Sequence, residues 1–123
     1  MARLLIIDDE GDIRHLYAAE LEDEGHEVAA VANSAAALDL VRSREFDAVI
    51  LDIQLDQESG LELLQKIARE RDQLPVILCT AFSSYRDDFS SWLADAYVVK
   101  SSNLDELKEQ VRLVLARHAQ PRA

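Results

Sequence analysis

The sequence predicts an α/β chain built on a doubly wound, five-stranded parallel sheet with helices on both faces. Three observations point there. Five short apolar runs are separated by longer segments that carry helical spacing. Four of the five runs are almost continuously apolar rather than alternating, as strands covered on both faces must be. A regular alternation of strand and helix then requires right-handed crossovers between parallel neighbours.

The runs, in order, are Leu4 to Ile7, Val28 to Val31, Ala48 to Leu51, Val76 to Cys79 and Ala96 to Val99. Between the first two, Ile13, Leu16, Tyr17 and Leu21 recur at helical spacing. Leu38 and Val41 mark a second helix, for which Ser34 is a candidate N-cap. Leu61, Leu64, Ile67 and Ala68 mark a third, and Tyr85, Phe89, Trp92 and Leu93 a fourth. The last helix presents Leu104, Leu107, Val111, Val114 and Leu115 on one face. Asn103, with Glu106 three residues on, makes a capping box for it.

The chain has 123 residues, about half of them apolar, which is enough for one domain with one core. Residues 1–118 are read as that domain and 119–123 as a tail or linker stump. Thirteen basic against 24 acidic side chains leave a formal charge of -11, which disfavours direct binding to nucleic acid or an anionic membrane. Apolar runs of only four or five residues fit neither a membrane span nor a signal peptide. A lone Cys79 excludes an internal disulfide and suits a reducing cytoplasm.

In a doubly wound sheet the ligand site lies outside the carboxyl ends of the strands, where strand order reverses. The residues there are Asp8 and Asp9 after the first strand, Asp52 after the third, Thr80 after the fourth and Lys100 after the fifth. One polar residue at a strand end means little; five at the same end of one sheet make a site. Three carboxylates converging on a crevice repel one another, and one lysine cannot neutralise them. A hard divalent cation such as Mg²⁺, which prefers carboxylate, carbonyl and water ligands, relieves the repulsion. A hydroxyl and an ammonium opposite a metal suit a phosphoryl group, and with no histidine or cysteine at the crevice a carboxylate is left as acceptor.

Taken in order, Ile7-Asp8-Asp9-Glu10, Leu51-Asp52-Ile53, Gly60, Thr80-Ala81 and Tyr97-Val98-Val99-Lys100 resemble the receiver domain of two-component response regulators. The resemblance extends over essentially the whole chain. It implies a flavodoxin-like (βα)5 fold of strand order 2-1-3-4-5. It also implies that Asp52 accepts a phosphoryl group from a sensor histidine kinase or histidine phosphotransfer protein. Asp8, Asp9, Asp52 and the main-chain carbonyl of Gln54 would hold Mg²⁺, with Thr80 and Lys100 on the phosphoryl oxygens. Thr80 and Tyr97 would form the switch, read out on the face of the fourth helix, fifth strand and fifth helix. Such a protein is a signalling switch, not a metabolic enzyme; its chemistry is self-catalysed transfer and slow self-dephosphorylation, which Gln54 and Phe82 would tune. Its output passes to a downstream protein or to a fused domain beyond this sequence, and it is a monomer or a weak dimer linked to phosphorylation.

Departures from the family pattern lie around the site. Ser101 follows Lys100 where a proline is usual, so a trans bond is expected, since a cis bond before serine costs about 2.5–4 kcal/mol. The loop Gln54 to Ser59 lacks the usual proline and is expected to be mobile and acidic. Phe82, Tyr85, Phe89 and Trp92 crowd eleven residues. Phe89 and Trp92 are read as filling the core where small residues are usual; the alternative is an aromatic docking patch. His15, His26 and His118 have no metal-ligand spacing, and Cys79 reads as a small core residue.

Three rival functions were open. An aspartyl-phosphate, Mg²⁺-dependent phosphatase needs an acid/base aspartate where Gln54 stands. A flavodoxin-type carrier cradles an anion on its first loop, which Asp8-Asp9-Glu10-Gly11-Asp12 would repel. A receiver that binds partners without being phosphorylated would not need the acceptor set that is present.

Overall fold

The computed structural model describes residues 2–55, 58–80, 94–100 and 104–118, apart from the side chains of Gln54, Glu58, Thr80 and His118. The described elements run β1 (Arg3–Ile7), α1 (Gly11–Asp23), β2 (Glu27–Val31), α2 (Ser34–Ser43) and β3 (Ala48–Asp52). A two-residue ladder, β4 (Gln54–Leu55) with β5 (Glu58–Ser59), precedes α3 (Gly60–Glu70), β6 (Val76–Thr80), β7 (Ala96–Val99) and α4 (Asp105–His118). The five main strands are parallel in the order β2-β1-β3-β6-β7, which is the 2-1-3-4-5 winding that the family resemblance implies. Each predicted strand is present within one residue at either end. The predicted fourth helix and the aromatic residues Phe82, Tyr85, Phe89 and Trp92 lie outside the described residues, as do Ser101 and the Asn103 cap.

Strand parity sorts the core into two layers. Leu4, Ile6, Ala48, Ile50, Ile77, Cys79 and Val98 pack with Tyr17 and Leu21 of α1 and with Leu107, Val111 and Val114 of α4. Leu5, Ile7, Val49, Leu51, Val76 and Leu78 pack with Ala37 and Val41 of α2 and with Leu63, Leu64 and Ile67 of α3. Burying each large aliphatic side chain is worth roughly 1.5–3 kcal/mol, so the central strands anchor the fold from both sides. Among the described residues, no helix is long and apolar enough to cross a membrane.

Three helix details differ from the sequence expectation. Asn33, not Ser34, caps α2: its extended backbone lets its side-chain oxygen accept from the Ala36 amide at 2.9 Å. Leu16 is exposed, because it sits some 60° to the far side of the stripe that Ile13, Tyr17 and Leu21 make at four-residue steps. On α3 the buried set is Gly60, Leu63, Leu64 and Ile67, a shift that leaves Leu61 and Ala68 on its flanks. α1 ends in a left-handed Gly25 (φ 96°), whose amide donates to the Glu22 carbonyl while that of His26 donates to Leu21. A side chain there would be strained, and glycine is the residue such a helix end selects.

Register is held at the amino ends of the strands by one device used twice. Asp47, just before β3, donates its amide to the Arg3 carbonyl and accepts the Arg3 amide on its carboxylate, at 2.7 and 2.8 Å. Asp95, just before β7, makes the same pair with Val76, at 2.8 and 3.0 Å.

Candidate functional site: an acidic crevice at the carboxyl ends of the strands

Parity and register together build the crevice. Even-numbered residues of β1, β3 and β7 face α1 and α4, and Ile6 stands opposite Ile50. Continuing both strands by two residues sets Asp8 beside Asp52 on that face. Lys100 follows Val98 in the same sense, and Val98 pairs with Cys79, the partner of Asp52. Three side chains distant in sequence, Asp8, Asp52 and Lys100, thus reach one point because a two-residue period is kept in three strands.

Asp8 and Asp52 are buried, at 2% and 5% exposure, and Asp9 is half-buried beside them. Each of the three offers one carboxylate oxygen within 4.8 Å of the others. The Lys100 ammonium lies between two of them, with Nζ 2.9 Å from Asp8 Oδ2 and 3.0 Å from Asp52 Oδ2. Burial alone would pull its pKa down, but hydrogen bonds to Asp8 and Asp52, with their charges, outweigh that and leave it above the ordinary lysine value. One ammonium among three carboxylates leaves the cluster short of positive charge. Hard, anionic oxygens held this close are the donor set of Mg²⁺, so the residues fit a divalent ion.

Local structure fixes the acids. Asp8 Oδ1 accepts the Glu10 amide at 2.9 Å, an aspartate turn that frees Oδ2 for Lys100. The Asp8 amide donates to the Val31 carbonyl at 3.1 Å, and its carbonyl accepts from Arg14 Nη1 at 2.8 Å. Arg14 was not legible as a site residue, since the need for a donor there arises only once β2 is known to end at Val31. Asp52 ends β3 with Gly60 behind it: a Cβ at Gly60 would run into the Asp52 carbonyl and come within 2.7 Å of Ile53 Cα and O. Where the sequence suggests a mobile acidic loop, Gln54 and Leu55 pair with Ser59 and Glu58, Ile53 and Leu55 are buried, and the Gly60 amide donates to Ile53 O at 2.6 Å. Gln54 thereby stands two residues beyond Asp52 at the start of β4.

The other predicted residues fall nearby. Thr80 ends β6 beside Val99; its side chain is outside the description. Tyr97 is half-buried on the opposite face, packed against the layer of α2 and α3. Beneath the acids, Tyr17 and Cys79 share the α1 layer. Burial pushes the Cys79 thiol up to about 12, with the Lys100 charge and a Tyr17 hydrogen bond pulling it back part of the way. Burial also raises the Tyr17 phenol, and Cys79, Asp8 and Asp52 act in the same direction.

Comparison with known proteins agrees with this architecture. The family model for the response regulator receiver domain matches residues 4–112. The chain is 35% identical over 122 residues to the transcriptional regulatory protein TcrA of Mycobacterium tuberculosis, covering 98% of this chain and 48% of that protein. It is 33% identical to the response regulator ArlR of Staphylococcus aureus, covering 98% and 55%. It therefore spans about half the length of these curated relatives. Among solved structures, TrrA of Thermotoga maritima in complex with Mg²⁺ and beryllofluoride matches with a TM-score of 0.89 at 47% identity, covering 93% of this chain and 99% of that one. TrrA in complex with the histidine kinase ThkA matches with a TM-score of 0.88 at 48% identity, covering 94% and 99%.

Proposed function

The chain belongs to the response regulator receiver family, and on that premise we propose that it is a Mg²⁺-dependent phosphoacceptor switch with Asp52 as the acceptor. The observation that carries this reading is the Lys100 ammonium bridging the two buried carboxylates, Asp8 and Asp52, with Asp9 alongside. Two buried acids would be costly without a cation between them. The cation present is one that can turn from carboxylate to phosphoryl oxygen without leaving the crevice.

In this proposal Asp8, Asp9, Asp52 and the Gln54 main-chain carbonyl hold the metal. When bound, Mg²⁺ supplies positive charge opposite the phosphoryl oxygens. An Asp52 carboxylate oxygen attacks the phosphorus of a phosphohistidine, the P–N bond breaks, and the imidazole departs with the electron pair. Lys100 exchanges a carboxylate oxygen for a phosphoryl oxygen, and the Thr80 hydroxyl donates to another. Repacking of the half-buried Tyr97 in response would bias the face that includes β7 and α4 by a population shift. The kinase complex of TrrA supports a histidine kinase as donor. The relatives about twice this length support an output domain in the same polypeptide, or a separate protein effector in its place.

Beryllofluoride, a phosphoryl mimic, tests the reading. With Mg²⁺ it should raise the thermal stability of the wild type, and neither EDTA-treated protein nor Asp52→Asn should respond. Equal stabilisation of Asp52→Asn would remove Asp52 as acceptor.

A further inference from the structure

The main-chain carbonyl of Asp8 lies where the sheet cannot serve it. β2 ends at Val31, whose own carbonyl takes the Asp8 amide, and two residues later Asn33 caps α2. Beyond that point β2 offers no amide to Asp8. Arg14, one turn into α1, supplies the donor: Nη1 reaches Asp8 O at 2.8 Å. Its own amide donates to Glu10 O at 3.0 Å, and a Cβ on Gly11 would lie 3.6 Å from Nη2. The guanidinium is therefore folded back over the bare first residue of the helix, and Arg14 bonds the turn of residues 8–11 twice, through its side chain at Asp8 and through its main chain at Glu10. That turn carries two of the three carboxylates of the cluster.

We infer that Arg14 is a positioning residue for the divalent-cation site, fixing the Asp8 main chain so that the Asp8 and Asp9 carboxylates meet Asp52. The inference rests on the Mg²⁺ reading given above. A guanidinium suits the task in two ways. It offsets part of the charge of Asp8, Asp9, Glu10 and Asp12, and its bond to a main-chain carbonyl keeps it out of the space a metal would take. Lys100 differs on that second point, since its ammonium sits among the carboxylates themselves. Groups that orient metal ligands without touching the metal typically govern about 10- to 100-fold of affinity.

Calorimetric titration with Mg²⁺, run beside thermal unfolding in EDTA, tests the assignment. Arg14→Met keeps the aliphatic stem and loses the donor; it should unfold in EDTA close to the wild type yet bind Mg²⁺ at least about 10-fold more weakly. Arg14→Lys, which restores one donor and the charge, should recover most of that loss. Should Arg14→Met fail to fold, Arg14→Gln carries the same comparison. Wild-type Mg²⁺ affinity in a folded Arg14→Met or Arg14→Gln overturns the inference, as does a weakening that merely follows lost stability in EDTA and that lysine does not repair. A wild type that takes no Mg²⁺ removes the premise itself, a result distinct from normal wild-type binding with an unaffected variant.

Discussion

Gly60 shows how a residue without a functional group can shape the site it adjoins. Its missing Cβ is what lets α3 begin against the carbonyl of Asp52, so Gly60→Ala should push Asp52 out of reach of Lys100. The expected result is a loss of at least about 2 kcal/mol in urea unfolding, in the range of overpacking, together with loss of the beryllofluoride response; an unchanged response would show that the contact is tolerated. Cys79 makes a prediction about pH. Its thiol is raised by burial from an ordinary value of 9.0 to about 12, so the neutral form is favoured by folding. That contribution is complete below pH 9 and is lost as pH rises through about 12, because the unfolded chain ionises first. Stability measured by urea should therefore fall across this alkaline window, and less steeply in Cys79→Val than in the wild type. At the residue scale the sequence revealed the acids and the lysine through their place after apolar runs. It did not reveal Arg14, which answers a carbonyl left over by strand ends that only the sheet defines.

The strands were legible because the three inner ones, β1, β3 and β6, are buried on both faces and read as unbroken apolar runs, and the edge strand β7 keeps such a run although only Val98 in it is buried. Helix faces were read less well where the pattern is weak: Leu16 fits a helical count but sits off the buried stripe, and Leu63 was missed beside Leu61 and Leu64. The Asn33 cap shows the same limit, since either Asn33 or Ser34 satisfies the composition and only backbone geometry separates them. Asp47 and Asp95 belong to no pattern that the sequence singles out, yet each closes a two-bond clamp on its neighbouring strand. The Asp95 clamp starts β7 in the register that delivers Lys100 five residues on, and Arg117 of α4 donates to its carbonyl at 3.4 Å. Asp95→Ala leaves the part-buried Val76 amide without its carboxylate and should cost about 1–3 kcal/mol. Asp47→Ala, at an exposed clamp far from β7, should cost less and leave the beryllofluoride response intact. Equal effects of the two on that response would argue against a special role for β7 register.

The whole molecule carries a net charge of -11, and among the described residues the most buried acids, Asp8 and Asp52, are gathered at one end of the sheet. Self-repulsion of this size opposes compaction and is screened by salt. Thermal stability without divalent ions should therefore rise with ionic strength, and a fall would mean that screened attractions such as Arg42–Glu70 and Lys108–Glu20 outweigh the repulsion. On the proposed reading Mg²⁺ should act beyond screening, saturating at concentrations where K⁺ has little effect, as expected of an ion that binds only the native crevice. The same end of the sheet is where two inner strands, β1 and β3, lead into acids and an edge strand, β7, leads into a lysine, and on the proposed reading this arrangement is what suits Asp52 to be the acceptor. The most direct test is to phosphorylate the protein with acetyl phosphate and Mg²⁺, reduce the acyl phosphate with borohydride, and map the altered residue by mass spectrometry. The account predicts reduction at Asp52 alone, dependent on Mg²⁺. Label on another residue, or label at Asp52 that forms equally well in EDTA, would contradict it.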